Sequence, residues 1–121
     1  MLCVAASCAR EPDLQTWAEN TVKYHQKIIM INIGQGYYPI DFGELTPVLL
    51  SDQDSTVIGY TIDHRFKTEK GDVPDSEISK KRYYLDKDLG RVLYMSPNFP
   101  ELGYFPDDST GFNAMREDYM K

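Results

Sequence analysis

Basic residues are in short supply: 13 Lys and Arg face 19 Asp and Glu, a formal net charge of −6. That deficit argues against a nucleic-acid or anionic-membrane surface, since both need clustered cations facing the partner. Cysteine is nearly missing. Cys3 and Cys8 are the whole supply, so the chain after them has no disulfide framework and no thiolate zinc site. There are two histidines, His25 and His64, and neither has a carboxylate at ligand spacing. No apolar run approaches the roughly 20 residues that span a bilayer. A Gly-x-Ser-x-Gly elbow, a glycine-rich phosphate loop after a strand, and an internal repeat are also absent. What remains is 121 residues, 41% hydrophobic and 26% charged, enough for one domain with one core. Aromatics are the one excess, with nine Tyr, five Phe and one Trp.

The first ten residues are small or apolar up to Arg10, and Ala5-Ala6-Ser7-Cys8 has the small-residues-then-cysteine form of a bacterial lipoprotein signal. On this reading residues 1–10 are the remnant of an export signal. Cys8 is then the lipidated residue, Glu11-Pro12-Asp13 a polar tether, and residues 11–121 a single domain. The alternative is a short cytoplasmic strand carrying two buried thiols. A Cys3–Cys8 disulfide would close too small a loop to stabilise much.

Asp13 or Thr16 can cap a helix, and Thr16-Trp17-Ala18-Glu19 has capping-box spacing. Leu14, Trp17, Ala18, Val22, His25, Ile28, Ile29 and Asn32 recur at helical spacing. Glu19, Asn20, Lys23, Gln26 and Lys27 take the other side. Gly34-Gln35-Gly36 ends it, so the expectation is a helix over about 13–32. Pro39 and Pro47 confine residues 37–50 to a sheet edge or split them into two short strands. Residues 57–68 alternate cleanly, with Ile58, Tyr60, Ile62, His64 and Phe66 on one face. Strands at 82–85 and 91–95 flank Asp86-Lys87-Asp88-Leu89-Gly90, a turn with Gly90 where a positive φ is wanted. After Met95 the chain is extended, Pro-punctuated and aromatic, and a short helix follows at about 111–120, capped by Ser109 or Thr110. The fold class is α+β: one long N-terminal helix packed on a four-stranded antiparallel meander, then the aromatic tail and the terminal helix.

Tyr38-Pro39-Ile40-Asp41-Phe42-Gly43-Glu44-Leu45, then Ile58-Gly59-Tyr60-Thr61-Ile62-Asp63-His64-Arg65-Phe66, then Tyr83-Tyr84-Leu85-Asp86-Lys87, follow one another in this chain. That order resembles a group of small Bacteroidetes secreted proteins and lipoproteins with a Y-x-P-I-x-F-G-E-L segment, a G-Y-x-I-x-H-x-F strand and a closing F-Y-L-D strand. The resemblance covers roughly residues 37–95 and departs at Gly34-Gln35-Gly36-Tyr37-Tyr38 and at Lys67-Thr68-Glu69-Lys70. It implies export and a lipid anchor at Cys8, and it implies no activity.

His64 is the natural acid–base candidate, since imidazole titrates near neutrality. Its alternation points it inward, where Tyr60, His64, Tyr84 and Tyr94 would line a pocket if the sheet curves around one. His25, on the helix, could approach it. Asp41 and Glu44 stand three apart on an extended segment, which places them on opposite faces. Lys80-Lys81-Arg82 beside Tyr83 and Tyr84 reads as a solvated, aggregation-resistant strand edge. The Asp86 turn lacks the length and terminal Glu of a calcium loop. In the tail, Phe99, Leu102, Tyr104, Phe105 and Phe112 interleave with prolines and acids, and from Ser96 onward five acids face two bases. Tyr104, Phe105, Asp107 and Asp108 would then be anchors and acidic rim for a basic protein partner. The expectation is a non-enzymatic envelope lipoprotein without cofactor or metal that binds a protein, as an immunity or inhibitor protein neutralising a toxin. A small-ligand or enzymatic pocket at His64, or a structural accessory of an outer-membrane complex, are the alternatives.

Overall fold

The computed structural model describes residues 13–99 and 108–121. The element order is α1 (Leu14–Asn32), β1 (Tyr38–Phe42), β2 (Thr46–Ser51), β3 (Asp54–Lys67), a single 3-10 turn (Asp75–Glu77), β4 (Ser79–Asp86), β5 (Val92–Met95) and α2 (Ser109–Tyr119). This is an α+β fold with a helix on an antiparallel sheet. Among the described residues no helix is long and apolar enough to cross a membrane.

Asp13 opens α1: its carboxylate accepts the Thr16 amide at 2.7 Å, so the cap is Asp13 and not Thr16. Gly34, at φ 73°, and the Gln35 amide returning to the Met30 carbonyl at 2.9 Å close it. The sheet has five strands rather than four. β3 is its spine: β4 pairs along one side, while β1 and β2 lie end to end along the other, and β5 adds to β4. The break between β1 and β2 falls at residues 43–45, between the two prolines rather than at either. Pro39 and Pro47 sit in β1 and β2, both edge strands, where a missing N–H costs nothing.

Each face of the sheet carries one helix. On the first, Ala18 and Val22 of α1 meet Ile62, Tyr83, Leu85 and Leu89, all at most 2% exposed. On the second, Met115 of α2 meets Ile58 and Tyr84. At roughly 1.5–3 kcal/mol per fully buried large side chain, these two clusters supply most of the drive to fold. β4 serves both faces, which is why Tyr83, Tyr84 and Leu85 are buried in succession.

Three local details depart from sequence expectation. Ile58 leaves the face of Tyr60, Ile62 and His64: β2 pairs Val48 with Gly59 and Leu49 with Val57, so Ile58 is an extra residue whose side chain joins Tyr84 and Met115. In the β4–β5 turn the left-handed residue is Leu89, at φ 59°, and not Gly90. Burial of the Leu89 side chain and the Asp86 carboxylate, which accepts the Gly90 amide at 2.8 Å, hold that costly backbone in place. The terminal helix begins two residues early, after Asp108.

Side-chain hydrogen bonds pin α1 to the strand connections. Gln15 donates to the Gly43 carbonyl at 2.9 Å and accepts the Leu45 amide at 2.8 Å; Thr21 donates to the Leu89 carbonyl at 2.6 Å. α2 comes close to the sheet because it carries Gly111, where a Cβ would lie 2.3 Å from the Tyr84 ring.

Candidate functional site

His64 is fully buried on β3. Its Nδ1 lies 2.9 Å from the Asp41 carbonyl, which can only accept, so Nδ1 carries the proton and donates. Nε2, 2.6 Å from the Tyr37 hydroxyl, is then the acceptor and Tyr37 the donor. Phe42 stacks on the imidazole at 3.9 Å and 6°, with Phe66 at 5.4 Å. Burial pushes the His64 pKa down to about 4 against the opposing pull of the Asp41 hydrogen bond, so the ring is neutral at physiological pH. Both nitrogens are occupied, and the histidine clamps β1 and the segment before it onto β3. Burial also raises the Tyr37 phenol.

The sheet divides the expected pocket. Register places Tyr60 opposite Leu85 and His64 opposite Lys81, on the α1 face, whereas Tyr84 pairs with Thr61 and Tyr94, on the α2 face. Tyr60 packs on the first cluster and Tyr94 on the second, so the four residues line no common cavity. His25 and His64 approach the Tyr83 ring at 6.5 and 6.1 Å but do not converge on a ligand position. Among the described residues no three His, Cys, Asp or Glu side chains are arranged to hold a metal. Asp41 accepts from Arg65 at 2.8 and 2.5 Å, and this guanidinium holds its carboxyl below the usual range. Glu44 is exposed.

The basic cluster is split by the pleat. Lys80 stands over the Phe99 ring at 5.2 Å, and Lys81 pairs across from His64. Arg82 binds Asp63 at 2.8 Å and Asp108 at 3.1 Å. The Asp63 hydrogen bond, then its charge and that of Asp108, raise the Arg82 pKa. Tyr84 donates to the same Asp108 carboxylate. These partners, 19 to 26 residues apart in the chain, fasten the start of α2 to the sheet, and nothing in the sequence pattern signals them. Asp108 therefore has an internal role beside its expected place on an acidic rim. Phe99 is buried. Tyr104, Phe105 and Asp107 lie outside the described residues, as does Cys8.

Among the described residues, most of the exposed large apolar side chains lie on or just after α1. Ala18, Val22, Gln26 and Met30 form its buried row. Gln26 was expected on the wet side; it is drawn inside because its Oε1 accepts the Tyr83 hydroxyl at 2.7 Å, which leaves its Nε2 without a partner. Leu14, Trp17 and Ile28, expected on the buried face, point outward instead. They are 51%, 49% and 41% exposed, with Tyr24 at 70% and Ile31 at 64%. A helix wide enough for two apolar rows can bury only one against a single sheet. With Thr21 these residues occupy positions 14, 17, 21, 24, 28 and 31. That alternating spacing of three and four is the seam of a heptad repeat, and it was legible in the sequence. Beside the seam runs an open groove of about 740 Å³, floored by Trp17, Tyr24 and Ile28 and walled by Gly90, Arg91 and Val92. Compared with known protein families, curated proteins and solved structures, the chain matches none.

Proposed function

We propose that this protein acts by binding another protein through the outer seam of α1, which receives an apolar helix packed along it. The observation that supports this reading is the exposed heptad seam with its adjoining groove. Five large apolar side chains aligned in one stripe form a contiguous patch of the kind that marks interaction sites, and helix-in-groove docking uses this spacing of anchors. Trp17 and Tyr24 supply the side-chain types that dominate binding energy. An envelope-tethered inhibitor or immunity protein, lipidated at Cys8, is the form of this reading that a small acidic single-domain chain suits. A photo-crosslinking amino acid at position 24, introduced in living cells, tests it. A discrete protein adduct, lost when Ile28→Asp is added, is the expected result. If no adduct forms, or if one survives Ile28→Asp unchanged, the seam is not a docking surface.

A further inference from the structure

We infer that the occupant of the α1 seam is a second copy of this chain, packed antiparallel about a twofold axis between Thr21 and Tyr24. The inference rests on reading the seam as a docking surface. A heptad seam is complementary to another seam of the same period, and a twofold axis lets one patch serve as both halves of the interface. Antiparallel pairing places Leu14 against Ile31 of the second copy, Trp17 against its Ile28, and Thr21 against its Tyr24. Each bulky ring then meets a smaller side chain. Parallel pairing stacks Trp17 on Trp17 and Tyr24 on Tyr24 and leaves a Thr21 layer too small to fill. It also aligns the two helix dipoles, which antiparallel packing opposes.

The size is sufficient. The seam runs about 26 Å along the helix at 1.5 Å per residue. The exposed fractions of its five large apolar residues amount to roughly 500 Å² per copy, so a pair removes on the order of 1,000 Å² from water, where specific interfaces begin. No seam position carries a charge, and the flanking Asn20 would stand near Lys27 of the other copy without like-charge conflict. Trp17, the single tryptophan, sits in the seam and reports on it directly.

The test is light scattering and sedimentation of the full chain across a concentration series, with Trp17 emission followed in parallel. A dimer is expected, whose emission moves to the red on dilution as Trp17 is exposed. Ile28→Asp should weaken self-association on the order of 100-fold by burying an unpaired charge, with an unchanged circular dichroism spectrum. Tyr24→Glu is the second variant should the first fold poorly. In a background with Cys3 and Cys8 replaced by Ser, Leu14→Cys mixed with Ile31→Cys should give a mixed disulfide, whereas Leu14→Cys alone should not cross-link. A chain that stays monomeric, or a Leu14→Cys homodimer, overturns the inference. If the chain is monomeric while the position-24 crosslinker captures a different protein, the second copy is refuted and the docking reading stands. If Trp17 emission is already blue in a monomer and insensitive to Ile28→Asp, both fall.

Discussion

Acid should destabilise this fold above the carboxylate range, and His64 should be the main cause. Its pKa falls from 6.5 in the unfolded chain to about 4 in the folded one, because the buried ring is sealed between Phe42 and Tyr37. Between those values the unfolded state binds the proton and the folded state does not, so stability rises with pH through this window. The contribution is fully present above pH 6.5 and lost as pH falls towards 4. At about 1.4 kcal/mol per unit, the shift is worth about 3 kcal/mol, a large part of the 5–15 kcal/mol typical of a domain. Urea unfolding at half-unit intervals from pH 7.5 to 4.5 measures it. His64→Phe should be less stable at pH 7.5, since Tyr37 and the Asp41 carbonyl lose their partner, yet nearly flat across the window. Burial lowers His25 too, with the same sign, and His25→Gln removes that smaller part. The Asp41 carboxyl, held down by Arg65, adds its loss only at lower pH. With two histidines in the chain, their ring-proton signals are readily assigned by NMR. A His64 resonance that titrates near 6.5, or a pH slope that His64→Phe leaves undiminished, refutes the reasoning.

Three further outcomes follow from the packing and the N-terminal sequence. Gly111→Ala should destabilise by about 1–2 kcal/mol despite alanine's helix preference of about 1 kcal/mol, because its Cβ collides with the Tyr84 ring; a stabilised variant in thermal melts would show that α2 stands off the sheet. Tyr83→Phe and Gln26→Met should each cost about 1–3 kcal/mol by stranding the other's polar group. The double variant should recover most of that loss, since it also removes the orphan Gln26 amide, and a double-mutant cycle reads the coupling. Cys8→Ser should move the protein from the membrane to the soluble fraction of its native cell; identical fractionation of both forms would end the lipoprotein reading.

The sequence by itself determined the elements. The Asp13 carboxylate caps an amide three residues on, while Gly34 and the prolines at 39 and 47 act through their own backbone, so α1 and the edge position of β1 and β2 were legible from neighbours alone. The alternation of β3 from Tyr60 onward likewise put His64 inside. Tertiary structure decided which residues meet. Whether Leu14, Trp17 and Ile28 or Ala18, Val22 and Gln26 face the sheet depends on where Tyr83 and Leu89 arrive from 57 and 68 residues beyond their partners Gln26 and Thr21, and periodicity marks both rows alike. The bulge at Ile58, the left-handed Leu89 and the Asp63–Arg82–Asp108 anchorage are set by partners distant in the chain. The candidate site was therefore written in the sequence as a spacing of three and four. Only the packed sheet, by covering one apolar row of α1, left the other exposed.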